Sequence, residues 1–244
     1  PQITSGTTGG FITNYLIVQV GSPMQSFYGY ETEGIFRSAD EVAGSAQPNA
    51  KPGQIRFKDR DKNGKIDAAD RTILGDPFPD VTVGLSNRFS YKRFSLDLFF
   101  QLVSGVQTLD ANVLESFYPT NEYRNRIAKY YEDRWTPDNP DAQYPSGVNP
   151  SAYGGAYSIN SYTVLDASFV RFKTLNLSYI IPVRSRKVLS DAQVFFATDN
   201  LFTFTKYQGF DPDASNTGSE SVAKVNYNSY PLARTVRVGV NVTF

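Results

Sequence analysis

The sequence has no cysteine and no histidine among its 244 residues. Without cysteine it can form no disulfide, thiolate nucleophile or cysteine-based zinc site. Without histidine it lacks the commonest general base and the commonest transition-metal ligand. No charge of one sign prevails: 24 Lys and Arg balance 24 Asp and Glu. No net basic field therefore recruits nucleic acid. No run of 18 apolar residues exists, which excludes a transmembrane helix. Pro1–Gly10 is polar and Gly/Thr-rich with no basic start, which is not a signal peptide. Glycine and proline are scattered, and no repeat of fixed period occurs. What remains is aromatic wealth: 16 Tyr, 18 Phe and one Trp make 14% of the chain.

Helical periodicity is confined to Glu122–Arg134, closed by Trp135-Thr136-Pro137. Two-residue alternation is clear elsewhere. Val81, Val83, Leu85, Phe89 and Tyr91 oppose Thr82, Gly84, Ser86, Arg88 and Ser90. Phe94, Leu96, Leu98, Phe100 and Leu102 alternate with Ser95, Asp97 and Gln101, and Leu175, Leu177, Tyr179 and Ile181 with Asn176 and Ser178. Val236, Val238, Val240, Val242 and Phe244 oppose Arg237, Gly239, Asn241 and Thr243. Weaker strands are expected at Phe11–Val20, Phe27–Phe36 and Gln193–Phe204. Several of these roughly seven strands have the nine to eleven residues of a tilted bilayer crossing.

The connections alternate in length. Gly21–Ser26, Lys92–Arg93 and Pro182–Asp191 are short, whereas Arg37–Asp80, Gly105–Ser168 and Thr205–Leu232 are long. Transmembrane barrels have this asymmetry, with short periplasmic turns and long extracellular loops. If the C-terminus is periplasmic, every long connection falls outside. About seven strands cannot close a bacterial single-chain barrel, and open edges are not tolerated in lipid. Residues 1–244 are therefore expected to be the C-terminal part of a larger all-β, antiparallel transmembrane barrel. Thr235–Phe244 (TVRVGVNVTF) ends on an apolar-face Phe, as outer-membrane barrels commonly do. Trimming Phe244 from the full-length protein is expected to impair insertion.

One motif carries specific chemistry. Asp59, Asp61, Asn63, Gly64, Lys65, Ile66, Asp67 and Asp70 fall at EF-hand loop spacing. A hard cation needs six to eight oxygens in a small sphere, and alternate carboxylates around a Gly-permitted turn supply them. Asp59, Asp61 and Asn63 would offer side-chain oxygens and Lys65 its carbonyl. Asp67 would bind directly or through water, and Asp70 would close the site. Asp rather than Glu in the closing position resembles dockerin-type loops and also suits Mg²⁺. The expected ion is Ca²⁺, holding a long external loop; the bland alternative is an ion-free surface turn.

Aromatics crowd the longest connection: Phe117, Tyr118, Tyr123, Tyr130, Tyr131, Trp135, Tyr144, Tyr153, Tyr157 and Tyr162. They could stack on sugars or a partner, although packing of the loop onto itself is the simpler expectation. Arg88, Asp97, Gln101 and Arg171 could line a polar path or satisfy one another. Carboxylate pairs such as Asp138 and Asp141 lie in turn-like, Pro/Asn-rich stretches. No nucleophile has a plausible base, so no enzyme is expected.

Several ordered segments resemble the C-terminal third of the SusC/RagA family of TonB-dependent outer-membrane transporters. They are Phe27–Phe36 (FYGYETEGIF), Gly53–Asp80 (GQIRFKDRDKNGKIDAADRTILGDPFPD), Arg134–Pro145 (RWTPDNPDAQYP), Ser168–Pro182 (SFVRFKTLNLSYIIP), Thr198–Pro212 (TDNLFTFTKYQGFDP) and the last ten residues. The resemblance implies a 22-stranded barrel in the outer membrane of a Gram-negative, Bacteroidetes-like cell. It implies import of glycan fragments or peptides, energy from TonB through segments absent here, and a SusD-like surface lipoprotein as lid. The competing expectation is a soluble, Ca²⁺-stabilised, β-rich carbohydrate-binding module. Such a module would be soluble when expressed alone.

Overall fold

The computed structural model describes residues 3–8, 12–113, 128–147, 159–183, 190–213 and 224–244, with side chains from Tyr15 onward. The first strands in chain order are β1 (Ile3–Thr8), β2 (Ile12–Val18), β3 (Ser26–Tyr30), β4 (Thr32–Ile35), β5 (Ile55–Phe57) and β6 (Arg71–Gly75). Next come β7 (Val81–Tyr91), β8 (Phe94–Ser104), β9 (Gln107–Asp110) and β10 (Val164–Asp166). The last are β11 (Phe169–Ile180), β12 (Asp191–Thr205), β13 (Val225–Asn226) and β14 (Thr235–Thr243). Two one-turn helices are described, α1 (Ala39–Ala43) and α2 (Ala128–Glu132). Residues 122–127 of the expected helix lie outside the described residues.

The chain forms two compact units. One comprises Pro79–Val106, Ala167–Ala214 and Tyr230–Phe244. It is a five-stranded antiparallel sheet in the order β14-β12-β11-β8-β7, so each long strand lies beside the next long strand in the chain. Turn chemistry starts the meander. The two-residue Lys92–Arg93 connection puts Lys92 at φ 55°, the positive-φ geometry that lets a tight hairpin follow the strand twist.

Register aligns the two faces across this sheet. Phe89, Leu96, Leu177, Phe196 and Val238 form one continuous row, and Tyr91, Phe94, Tyr179, Val194 and Val240 form the next. The opposite face carries the row Arg88, Asp97, Asn176, Ala197 and Arg237. The apolar rows are not core. Leu85, Phe89, Phe202, Val238 and Val240 are half exposed or more. A small cluster at one end, Val103, Val106, Ala167 and Phe169, is buried, as are the separate side chains of Ala192, Ala197 and Tyr207. A shift in register between Phe172 and Thr174 bends β11 against both neighbours.

The other unit comprises Pro1–Phe78, Gln107–Asp166 and Ser215–Ser229. It contains the sheet β1-β2-β3-β6, the sheet β10-β9-β13 and the β4-β5 pair. Here apolar side chains are buried in the ordinary way: Tyr15, Phe27, Tyr30, Ile55, Leu109 and Ile159 form one cluster. Each such burial stabilises by about 1.5–3 kcal/mol. Two of the expected strands, 11–20 and 27–36, therefore differ from the other five. They pair within this packed unit, and the second is broken at Glu31 into β3 and β4. A buried segment and an exposed crossing strand share the same alternation, which is why the sequence pattern does not separate them.

Candidate functional site

The acidic motif spans the connection between β5 and β6. Gly64 makes its turn at φ +80°, with open space around the missing side chain. Asp67 caps a single 3-10 turn, Ala68–Asp70, by accepting the Ala69 N–H at 2.8 Å, while Asp70 accepts the Asp67 N–H at 2.8 Å. This capping box swings Asp70 inward, where it is fully buried and also accepts the Arg60 N–H at 2.7 Å. Asp59 accepts from the backbone of Asn63 and Gly64, and Asp61 from the backbone and side chain of Asn63.

The result gathers carboxylate oxygens of Asp59, Asp61 and Asp70 within 4.8 Å of one another. Asn63 stands beside them, with its Oδ1 accepting the Lys65 N–H and its Nδ2 donating to Asp61 and Asp67. Asp67 is outside the trio because its carboxylate serves the 3-10 turn. Lys65 enters through its backbone N–H, and its carbonyl has no described partner. The neighbouring cations turn away: Lys58 and Arg60 both pair with Glu31, at 2.9 and 3.0 Å. Their positive charge holds the Glu31 carboxyl below its ordinary pKa, the Lys58 hydrogen bond contributing most. Among the described residues no cationic side chain pairs with Asp59, Asp61 or Asp70, which leaves a set of hard oxygen donors suited to a divalent cation.

Of the polar residues expected on one face of the long strands, Arg88 and Asp97 satisfy each other, while Gln101 and Arg171 find partners outside that set. Arg88 pairs with Asp97 across β7 and β8, and Gln101 accepts from Lys173 at 2.9 Å. Arg171, 1% exposed, donates to Thr203 at 3.1 Å and to Asp211, and its guanidinium lies 4.9 Å from the Phe169 ring centre. Asp211 also accepts the Leu232 N–H at 2.9 Å. One buried charge pair thus ties β11 and β12 to the backbone leading into β14. Asp211 lies 40 residues from Arg171, and only the tight Gly-Phe-Asp-Pro stretch around it hinted at a fixed position.

Among the described residues of the aromatic connection, Tyr130 packs against both Tyr131 and Tyr144. Tyr130 and Tyr144 are buried with ring centres 6.4 Å apart, and Lys129 lies 5.7 Å from the Tyr144 ring. Tyr131 is exposed. Phe117, Tyr118, Tyr123, Tyr153 and Tyr157 lie outside the described residues.

No protein-family model matches the chain. Curated relatives do. TonB-dependent receptor P3 of Formosa agariphila is 34% identical over 238 residues, spanning 93% of this chain and 23% of that receptor. TonB-dependent receptor SusC of Bacteroides thetaiotaomicron is 27% identical, spanning 93% of this chain and 20% of SusC. A solved structure of the RagAB peptide transporter superposes over 100% of this chain and 24% of its own, with a TM-score of 0.75 and 25% identity. Over almost its whole length the chain is similar to one part of TonB-dependent receptors of the SusC/RagA group. It spans about a quarter of the length of the curated relatives it matches. These relatives are receptors and transporters rather than enzymes, and they do not favour the soluble binding module.

Proposed function

We propose that this chain forms the C-terminal wall of an outer-membrane importer that draws glycan fragments or peptides through a barrel closed by strands outside it. A SusD-like surface lipoprotein would act as lid, and TonB would engage through segments outside this chain. The observation that carries the reading is the exposed apolar face of the five-stranded sheet. Five strands with Val, Leu and Phe rows left open to the surroundings would be an aggregation hazard in water. Against lipid the same face is stabilising. The dimensions agree: the 11 residues of β7 rise roughly 37 Å at ~3.4 Å each, or about 26 Å in height when tilted near 45°. An outer-membrane barrel carries an apolar band ~25 Å tall.

The test uses the intact receptor in its own cell. Deleting its gene is expected to abolish growth on at least one glycan or peptide source, with the wild-type protein fractionating in the outer membrane. Unchanged growth on all such sources, or recovery of the receptor in the soluble fraction, would refute the reading.

We also infer that the Asp59–Asp70 loop holds a structural Ca²⁺ on Asp59, Asp61 and Asp70, with Asn63 and the Lys65 carbonyl as further oxygens and Asp67 reached through water. The buried Asp70 and the diversion of Lys58 and Arg60 to Glu31 support this. The shorter closing side chain also suits Mg²⁺. Calorimetric titration of the full-length receptor is expected to show one Ca²⁺ site that Asp61→Ala removes. Equal Ca²⁺ binding in that variant would overturn the assignment.

A further inference from the structure

Asn63 is followed by Gly64, and no other asparagine in the sequence precedes a glycine. The Cγ of an asparagine can be attacked by the next backbone nitrogen, which closes a five-membered imide. A glycine in that next place puts no Cβ in the way. Gly64 sits at φ +80° with nothing within 4 Å of where a Cβ would stand, so its nitrogen is open on that side. Asn63 is exposed, which admits the water that the reaction consumes.

The hydrogen bonds of the turn match the charges that ring closure develops. The attacking nitrogen must lose its proton, and the Gly64 N–H donates to Asp59 Oδ2 at 2.8 Å. The attacked carbonyl must take up negative charge, and Asn63 Oδ1 accepts the Lys65 N–H at 2.8 Å. The orientation of the amide is fixed by its other partners. Nδ2 faces Asp61 Oδ2 at 3.0 Å and Asp67 Oδ2 at 3.4 Å, and ionised carboxylates only accept. The Asn63 N–H is itself held by Asp59 and Asp61, at 3.2 and 3.1 Å. Proton acceptor, nucleophile, electrophilic carbon and oxyanion donor thus come from Asp59, Gly64, Asn63 and Lys65 of one turn.

We infer that Asn63 is a site of self-modification, at which the turn converts the side-chain amide to a carboxylate. The Gly64 nitrogen bonds to Asn63 Cγ, and the Cγ–Nδ2 bond breaks. The Gly64 proton passes through Asp59 and water to the leaving nitrogen, which departs as ammonia. Water then opens the imide at one of its two carbonyls, giving aspartate or isoaspartate at position 63, with no oxidation or reduction. Isoaspartate adds a methylene to the main chain between Asp61 and Asp70 and so spoils the approach of their carboxylates. A cation held by the loop would draw Asp59 and the Asn63 oxygen onto itself and away from the ring closure. The modification stands on the geometry of the turn; its restraint by Ca²⁺ rests on the Ca²⁺ reading above.

The experiment incubates the full-length receptor in detergent with a chelator or with excess Ca²⁺. Deamidation at each asparagine is then followed by peptide mass spectrometry, with enzymatic methylation of isoaspartate as a second readout. In chelator Asn63 should be lost about tenfold faster, or more, than Asn228, which is exposed and precedes Ser229. Asn160, which precedes Ser161 but is fully buried, should stay intact. Asp59→Asn keeps the shape of the side chain but cannot take a proton, and should slow the loss about ten- to a hundredfold in chelator. If that variant loses wild-type mobility on unheated gels, the ratio of Asn63 to Asn228 in the wild type alone decides. Persistence of Asn63, loss no faster than at Asn228, or an unchanged rate in a folded Asp59→Asn would overturn the inference. Ca²⁺ should slow the loss; equal rates with and without it count against the Ca²⁺ reading and leave the modification site standing.

Discussion

Arg171 is the residue whose loss this fold would tolerate least. It is buried, paired with an almost equally buried Asp211, and bonded to Thr203. Removing one member of such a pair strands the other charge, at about 3–5 kcal/mol. Arg171→Met in the full-length receptor is therefore expected to lower its unfolding temperature markedly. The double change with Asp211→Leu should recover part of the loss, because the one carboxylate then left without Arg171, Asp213, is partly exposed to solvent. Chemical denaturation of both variants checks this; equal stability of single and double variants would contradict it. Glu31 responds to acid. Its folded pKa lies below the ordinary 4.5, so its contribution is complete above that value. The contribution fades as pH falls through the lowered folded value. Wild type and Glu31→Gln should thus differ in stability near neutral pH and converge well below pH 4.5, as read by denaturation at a series of pH values. The acidic trio illustrates what single residues announce. Asp59, Asp61 and Asp70 were legible from spacing alone, whereas the diversion of Asp67 into a cap depends on a 3-10 turn that spacing does not reveal.

Strands were legible because their period is short. β7, β8, β11, β12 and β14 follow alternations visible in the sequence, and the hairpin at Lys92–Arg93 follows from the abrupt change between them. What alternation lacks is a statement of what covers the apolar side. Phe27 is fully buried while Phe89 is more than half exposed, yet each sits in an alternating run. Short pairings such as β9 with β13 were not legible, because two to four residues carry no period. The exposed face of β14 yields a direct test. Val238, 79% exposed, ends the row running from Phe89. Val238→Asp should impair insertion of the full-length receptor, since a charge facing lipid at mid-depth is destabilising, by less for Asp than the ~2–4 kcal/mol that Arg or Lys costs. Asn241→Asp faces the other way and should insert near wild-type levels. Heat-modifiable migration of the two variants distinguishes them; equal insertion would mean that this side does not meet lipid. Gly239 belongs to the same strand. A side chain there would approach the Phe195 ring to 2.5 Å, so the ring lies across the glycine on the polar face.

For the whole molecule, the division into a lipid-suited sheet and a conventionally packed unit follows chain segments that interleave. The unit with the acidic loop takes Pro1–Phe78 ahead of β7, Gln107–Asp166 between β8 and β11 and Ser215–Ser229 between β12 and β14, and the unit with the long-strand sheet takes the rest. Its core closes over Leu109, Ile159 and Val225, brought together from distant parts of the chain. The tilted height of β7 has a further consequence. About 26 Å is short of the ~32–33 Å hydrocarbon depth of a sterol-rich plasma membrane but close to that of the thinner bacterial outer membrane. Hydrophobic mismatch therefore acts as an address. Reconstitution should favour lipids with short acyl chains, and thicker bilayers should exclude the protein even where every partner it needs is present.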